Sequence, residues 1–359
     1  MRGRVICRFG AELLVAASLA LPLAAEPQPK APQATVARTE ILFLGTSGGP
    51  LLHASRSKPA TLLIVDGRYY LIDCGMGTMQ RLLEAGIDAQ QIRTIFLTHL
   101  HSDHTLGLAD VLANDYFLSS LKPDADAVDI YGPPQTGELV DSAFRYMAVT
   151  VRPFAAENPG GFRSAGGQLI NPFRSHEFTS DGTVYQDDKI RVVASENTHY
   201  ALMPPGVRKT LQSFSYRIQT PHGTVVFTGD TGPSAAVDKL AQGADVLIAE
   251  ASALDDADRE QFVRAMTLRN HWMPERAQKF RAHFEAEHLD ADEVGQVASR
   301  AHAGAVLLYH YDPDDRPPHE SFVRAVKVHF PGTVYAPDDL DRYCLSAGKV
   351  RPCRAPGRG

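Results

Sequence analysis

The chain is short of cysteine, of excess positive charge and of long apolar runs, and each shortage removes a class of protein. Four cysteines occur in 359 residues, at Cys7, Cys74, Cys344 and Cys353. None lies near the histidine-rich stretch described below, which argues against a thiolate-bound structural zinc. Lys and Arg number 36 against 42 Asp and Glu, a formal charge of −6. Proteins that grip phosphate backbones by charge carry a basic surplus, so this balance predicts no nucleic-acid partner. No repeat at solenoid spacing is present. One apolar run stands out, LLVAASLALPLAA (13–25), behind Arg2, Arg4 and Arg8 and ahead of EPQPKAPQA.

That arrangement has the form of a secretory signal peptide and is short for a membrane span. The expectation is therefore a signal over 1–25, a Pro-rich linker over 26–38, a periplasmic or secreted mature protein, and no membrane contact after cleavage. Removing 1–25 takes three Arg and one Glu with it and moves the formal charge to −8. In an oxidising compartment Cys344 and Cys353, in CLSAGKVRPC, are close enough in sequence to close a short loop, leaving Cys74 as the odd thiol.

With 44% hydrophobic and 22% charged residues, the remainder suits one large core or two modest ones. TEILFLGTSGGP reads as a strand running into a glycine turn, and ATLLIVDGRYYLIDCG as a hairpin around Asp66 and Gly67. GTMQRLLEAGI has helical spacing, RTIFLTH is a short buried strand, and helix resumes at TLGLADVLANDYFLSSL. AVDIYGPP is a further strand. Residues 151–185, with ENPGGFRSAGG inside, show no sustained period and read as a loop-rich insertion. Strands return with KIRVVASENTHY and with a hairpin around His222 and Gly223. The helix SAAVDKLAQG, the strand ADVLIAEAS, a helical stretch over 255–301, the strand AVLLYHYDP, the helix SFVRAVKVHF and the strand GTVYAP complete the domain. Two groups of strands, each with helices outside them, predict an α/β fold built as a four-layer αββα sandwich over 39–345, with a C-terminal tail over 346–359.

The chemistry concentrates in FLTHLHSDHTLG, residues 96–107. His99 and His101 alternate with Leu100, so at a strand end both imidazoles point to one side while the leucine enters the core. Asp103 and His104 follow as the chain turns and reach a second point a few ångströms away. Four ligand-type groups crowded at a strand end would repel one another or go unpaired without a cation. The spacing suits two adjacent metals, and imidazole with carboxylate suits zinc, with iron or manganese also accommodated. GTSGG lacks the Gly-Lys-Ser/Thr ending of a phosphate-cradling loop.

THLHSDH resembles the HxHxDH signature of the metallo-β-lactamase superfamily. His199 in ENTHY, Asp230 in FTGDTG and His310 in LLYHYDP follow at predicted strand ends, so the resemblance spans about residues 40–340. It implies the metallo-β-lactamase fold and two Zn2+ ions, one held by His99, His101 and His199 and the other by Asp103, His104 and His310, with Asp230 bridging. Asp73, in LIDCG, matches a position that supports the metal site from behind. Two bridged metals lower the pKa of a shared water and clamp oxygens on which charge develops, so the resemblance implies hydrolysis.

Superfamily enzymes that hydrolyse β-lactams commonly place a cysteine on the second metal, where this chain has the aspartate of TGD. LGTSGGP, VLIAEAS and EHLDADEVGQVASRAHAGAVLLYH are instead similar to the branch containing tRNase Z and the zinc-dependent alkylsulfatases and arylsulfatase-like phosphodiesterases. In tRNase Z a histidine opens an HxT or HxS motif and helps to protonate the leaving oxygen. His288 matches that place, although its motif reads His288-Leu289-Asp290, with an acid still able to cap the next helix. Asp103 and His288 are thus the candidate catalytic residues, and Glu250 either orients His288 or ends a strand. An exported, acidic protein with no basic arm in 151–185 is expected to take a small-molecule phosphodiester or sulfate ester, as an arylsulfatase or phosphodiesterase, with Trp272, Met273 and Met203 either packed in the core or available to an aryl group. The alternative is a lactonase, thioesterase or β-lactam hydrolase using the same centre. Dimers are frequent in that superfamily, but the sequence shows no exposed apolar stripe, so a homodimer and a monomer both stay open.

Overall fold

The protein is described from a computed structural model, over residues 38–49, 51–119, 127–158, 162, 164–165, 168–311 and 319–353. The leader and linker expected over 1–37 lie outside the described residues. Among those described, no helix is long and apolar enough to cross a membrane.

The first sheet comprises β1 (Thr39–Gly45), β2 (Ala60–Val65), β3 (Arg68–Ile72), β4 (Ile92–Phe96) and β5 (Asp129–Gly132), continued after the small hairpin β6 (Ser164–Ala165) and β7 (Gln168–Leu169) by β8 (Arg174–Glu177). The second holds β9 (Gly182–Gln186), β10 (Arg191–Glu196), β11 (Phe214–Thr220), β12 (Gly223–Phe227), β13 (Val246–Glu250), β14 (Ala305–Tyr309) and β15 (Thr333–Tyr335). The chain then returns to the first sheet with β16 (Arg342–Ser346) and β17 (Lys349–Pro352), giving the orders β17-β16-β1-β2-β3-β4-β5-β8 and β15-β14-β13-β12-β11-β10-β9. Helices α1 (Thr78–Glu84), α2 (Ser102–Thr105), α3 (Leu108–Ser119) and α4 (Thr136–Glu157) lie in the first half, and α5 (Ala235–Leu240), α6 (Asp256–Asn270), α7 (Pro274–Glu287), α8 (Ala291–Arg300) and α9 (His319–His329) in the second.

Alternation along the strands sets the layers. Ile41 and Phe43 of β1 pack with Leu307 and Tyr309 of β14 between the sheets, while Leu42 and Leu44 turn outward to a core shared with α1, α3 and α4. Val306 and Leu308 turn the other way, onto Val294, Val297 and Val326 of α8 and α9. Strands buried on both faces read as unbroken apolar runs, which is why VLIAE and AVLLY carry almost no polar residue. The αββα sandwich expected from the sequence is the fold observed.

Two segments differ from expectation. The stretch over 151–185 is less loop-rich than its glycines suggested: it begins inside α4, which buries Val140, Ala143, Met147 and Val151 at helical spacing, and it then supplies an edge strand to each sheet. β8 pairs parallel with β5, and β9 antiparallel with β10. The expected tail over 346–359 contains β17, paired with β16 and clasped to it by the Cys344–Cys353 disulfide, whose Cα atoms are 5.1 Å apart. Cys74 is buried and free.

Candidate metal centre

Each candidate ligand leaves the C-terminal end of a strand, and those ends share one edge of the sandwich. β3 and β4 run parallel in the first sheet and end at Asp73 and at the loop to His99; β12, β13 and β14 run parallel in the second and end at Asp230, Glu250 and His310. Asp73 and His310 both take a left-handed backbone conformation, with φ 57°. Away from glycine this costs of order 1–2 kcal/mol and is kept where the surrounding structure demands it, here to turn a side chain back over the strand ends. The glycine turn after β1 has a local reason as well. Gly48 donates its N–H to the Tyr311 carbonyl at 2.6 Å, and a Cβ at Gly48 would stand 2.3 Å from His310 Nδ1.

The seven predicted ligands form two adjoining groups, and a third, of Asp230, Glu250, His288 and His310, overlaps the second. His99, His101 and His199 make one, with His199 Nε2 2.9 Å from His101 Nδ1. Asp103, His104, Asp230 and His310 make the other: His310 Nε2 is 3.5 Å from Asp103 Oδ2 and 3.0 Å from Asp230 Oδ2, and His104 Nε2 is 3.2 Å from Asp230 Oδ1. Asp230 also reaches the first group, at 3.8 Å from His99 Nε2 and 3.9 Å from His199 Nε2. All seven residues named from the sequence therefore meet at one place. The chemistry of this donor set fits a pair of cations. Among the described residues, His99 Nε2, His104 Nε2, Asp230 Oδ1 and both ring nitrogens of His310 are buried without a hydrogen-bond partner. Buried polar atoms are almost always satisfied, so His99 Nε2, His104 Nε2, His310 Nε2 and Asp230 Oδ1, unpaired within one cluster, fit a cation pair; His310 Nδ1, on the far side of its ring, faces Glu250 Oε2 at 3.7 Å.

The opposite ring nitrogens are held from behind. Asp73 Oδ2 lies 2.8 Å from His104 Nδ1, while its Oδ1 accepts the Thr98 N–H at 2.8 Å. Thr98 Oγ1 meets His99 Nδ1 at 3.0 Å, and the Glu287 carbonyl meets His199 Nδ1 at 2.9 Å. His288 stands beside the second group, its Nδ1 2.7 Å from Glu250 Oε2, so Nε2 is on the side that lines the cleft, where it meets His283. Glu250 has both oxygens engaged, since its Oε1 accepts the Thr231 N–H, which makes it an orienting group for His288. Asp290 caps α8 in a reciprocal pair with Glu293, at 2.9 and 3.0 Å, and its other oxygen takes the buried Arg259 guanidinium at 2.8 Å. Trp272 lines the cleft beside the centre; Met273 is largely exposed and, like Met203, is not among the lining residues.

Sequence reasoning missed Thr98, Glu287 and His283. A backbone carbonyl such as that of Glu287 leaves no sequence signal. His283 sits five residues before His288, with its Nε2 3.2 Å from His288 Nε2 and its Nδ1 2.5 Å from Glu287 Oε2.

Charge divides the site. Burial, reinforced by His104 and His199, keeps His99 well below the usual imidazole range, and burial pushes His199 down to about 3. Burial opposes a proton on His104 and His310 too, but the surrounding carboxylates, Asp230 foremost, outweigh it: His104 is raised well above its ordinary value and His310 to about 10. Groups raised this far keep their protons at neutral pH, so a cation at the Asp103–His104–His310 group must displace them. Affinity for the second equivalent is therefore expected to weaken as pH falls. Calorimetric titration in buffers of different ionisation enthalpy should record proton release with that equivalent, and release of none would contradict this balance.

Comparison with known proteins adds the following. Residues 68–311 match the Beta-lactamase superfamily domain. The chain is 30% identical over 313 residues to a Ribonuclease Z of Mycolicibacterium gilvum, covering 86% of this chain and 97% of that protein. It is 31% identical over 314 residues to the Ribonuclease Z of Mycolicibacterium paratuberculosis, covering 86% and 99%. Among solved structures, the metallo-β-lactamase fold protein YhfI from Bacillus subtilis aligns with a TM-score of 0.61 at 18% identity, over 86% of this chain and all of that one. The short form of human tRNase Z aligns with a TM-score of 0.57 at 21% identity, over 84% and 98%.

These relatives correct the expectation of an exported arylsulfatase or other small-ester hydrolase, and with it the exclusion of nucleic acid: the proteins matched almost end to end are ribonucleases. Nothing in them supports the periplasmic assignment, and the leader on which it rested lies outside the described residues. The error has a physical cause. Net charge sums the whole surface, whereas nucleic acid is met locally, and the cleft at the centre is lined by Arg276 and Lys279 next to aromatic rings.

Proposed function

The chain belongs to the metallo-β-lactamase superfamily, in its tRNase Z branch, and is a metal-dependent hydrolase; we propose that the bond it cleaves is a phosphodiester of RNA, with tRNA precursors as the substrate class. The observation that carries this reading is the match to Ribonuclease Z along 97–99% of the relatives' length. The pairing of His288 with Glu250 beside the two ligand groups supports it.

Zinc is the metal we assign from membership of the superfamily; the imidazole and carboxylate donors suit it and would also accept iron or manganese. His99, His101 and His199 would hold one ion, Asp103, His104 and His310 the other, and Asp230 both. When bound, such a pair supplies hydroxide at neutral pH and takes up charge developing on phosphate oxygens. The chain's own groups do the rest. Asp73 and the Glu287 carbonyl aim His104 and His199, and so fix which ring nitrogen faces the centre. Glu250 holds and orients Nδ1 of His288, and Nε2 is the atom we assign to proton delivery toward the departing oxygen; burial keeps the ring well below its ordinary value, so the proton it delivers is one taken up with substrate in place.

The test is a substrate panel: kcat/KM of the zinc-loaded protein on a tRNA precursor, p-nitrophenyl sulfate and a simple lactone. RNA is expected to be preferred by about three orders of magnitude, the product of differential binding along a long substrate. Turnover of the sulfate or the lactone with the RNA left intact would overturn the proposal.

A further inference from the structure

The helical hairpin of α6 and α7 stands apart from the three cores of the sandwich. It buries only Arg259 and Val263 of α6 and Phe284 and Glu287 of α7. Its aromatic residues pack on one another at the wall of the cleft instead. From the outside inward, Trp272 and Phe280 have ring centroids 4.8 Å apart, Phe280 and Phe284 4.9 Å, and Phe284 and His288 5.3 Å, the last pair stacked. A continuous row of rings thus leads from the cleft's rim to the proton-delivering histidine. Two cations flank it: the Arg276 guanidinium lies 5.1 Å from the Trp272 ring centroid, and Lys279, exposed and paired with Glu275 at 3.0 Å, also lines the cleft. The cleft has a volume of about 710 Å³, within the range of sites that enclose a small ligand.

Aromatic rings with cations beside them are the chemistry of single-stranded nucleic acid, whose bases stack on rings and whose phosphates meet Lys and Arg. We propose that this wall is a base-stacking subsite for unpaired nucleosides next to the scissile phosphate. This rests on the RNA-cleaving reading above, and the experiment separates the two.

Trp272 is the chain's only tryptophan, so its fluorescence reports the wall directly. The full-length protein, in excess chelator to stop turnover, is titrated with a single-stranded oligoribonucleotide and with an abasic strand of equal length and charge. Quenching by the first is expected, with the abasic strand binding about 10- to 100-fold more weakly, as removal of base stacking entails. Phe280→Ala should weaken oligoribonucleotide binding by a similar factor and raise KM on RNA in the zinc-loaded protein with kcat nearly unchanged. Its zinc content and melting temperature serve as the check on folding, and Trp272→Phe, which keeps a ring, should retain most of the binding by anisotropy. Arg276→Ala with Lys279→Ala should reduce the dependence of log Kd on log salt by roughly 0.7 for each phosphate that is no longer neutralised. Equal affinity for the abasic strand, or kcat and zinc content falling together in Phe280→Ala, would overturn the subsite. If RNA is cleaved while Trp272 does not respond, the subsite fails and the RNA-cleaving reading stands; base-dependent binding without cleavage gives the reverse.

Discussion

Asp230→Asn is expected to lower kcat/KM on RNA by about a thousandfold or more and to leave the purified protein with fewer than two cations. One carboxylate serves both ligand groups, with Oδ2 at 3.0 Å from His310 and within 3.9 Å of His99 and His199, and Oδ1 at 3.2 Å from His104. The amide keeps the shape but loses the charge and offers N–H groups where an acceptor is required. Metal-ion stabilisation of phosphoryl charge is worth several kcal/mol, and each 1.36 kcal/mol is tenfold in rate, which sets the size of the effect. Asp230 also opposes the effect of burial on its neighbours, and it is the foremost carboxylate keeping His104 and His310 protonated. The substitution should therefore also lower their affinity for protons. Elemental analysis with steady-state kinetics on the same preparation decides the matter: a variant that retains two cations and stays within tenfold of the parent would show that Asp230 does not join the two groups.

His288→Ala is expected to act on the chemistry and leave the cations in place. The ring is held by Glu250 and lies outside the His99–His101–His199 and Asp103–His104–Asp230–His310 groups that would hold the two cations, so cation content should stay at two equivalents, and loss of a cation would assign His288 to the overlapping group with Glu250. On RNA, where an alkoxide must leave, loss of a general acid should lower kcat by about 10²- to 10⁴-fold. On bis(p-nitrophenyl) phosphate the leaving p-nitrophenolate needs no proton, and the variant should fall by only a few-fold. That contrast between leaving groups separates a proton donor from a residue that merely shapes the cleft. Equal losses on the two substrates would remove His288 from the proton-delivering role.

The sandwich was legible because its strands are buried on both faces. Runs such as TEILFLG and VLIAE have no other comfortable place, and the turn at Asp66–Gly67 takes positive φ at both residues, as a two-residue hairpin requires. The ligand positions were legible because histidine and aspartate at strand ends are conspicuous where a core would otherwise continue. α4 was missed although Val140, Ala143, Met147 and Val151 repeat at helical spacing, because Pro153 and the glycines after it have the composition of a loop. The groups behind the ligands were harder still. Thr98 and Asp73 are 25 residues apart and meet only through the parallel pairing of β3 with β4. The substrate was misjudged for a related reason. Bulk charge describes the surface on average, whereas the row from Trp272 to His288 exists only once α7 folds back along α6.

The most direct test is end analysis of the products formed from a tRNA precursor by the zinc-loaded protein, with a chelated sample beside it. A cation pair held by the two groups would supply hydroxide as the nucleophile, so a single cut is expected, with no 2′,3′-cyclic phosphate on either fragment and oxygen from solvent in the new terminal phosphate. The chelated sample should give no cut. A cyclic phosphate would mean that the ribose hydroxyl, and not hydroxide from the centre, is the nucleophile, and cleavage undiminished by chelator would contradict the two-cation hydrolytic centre itself.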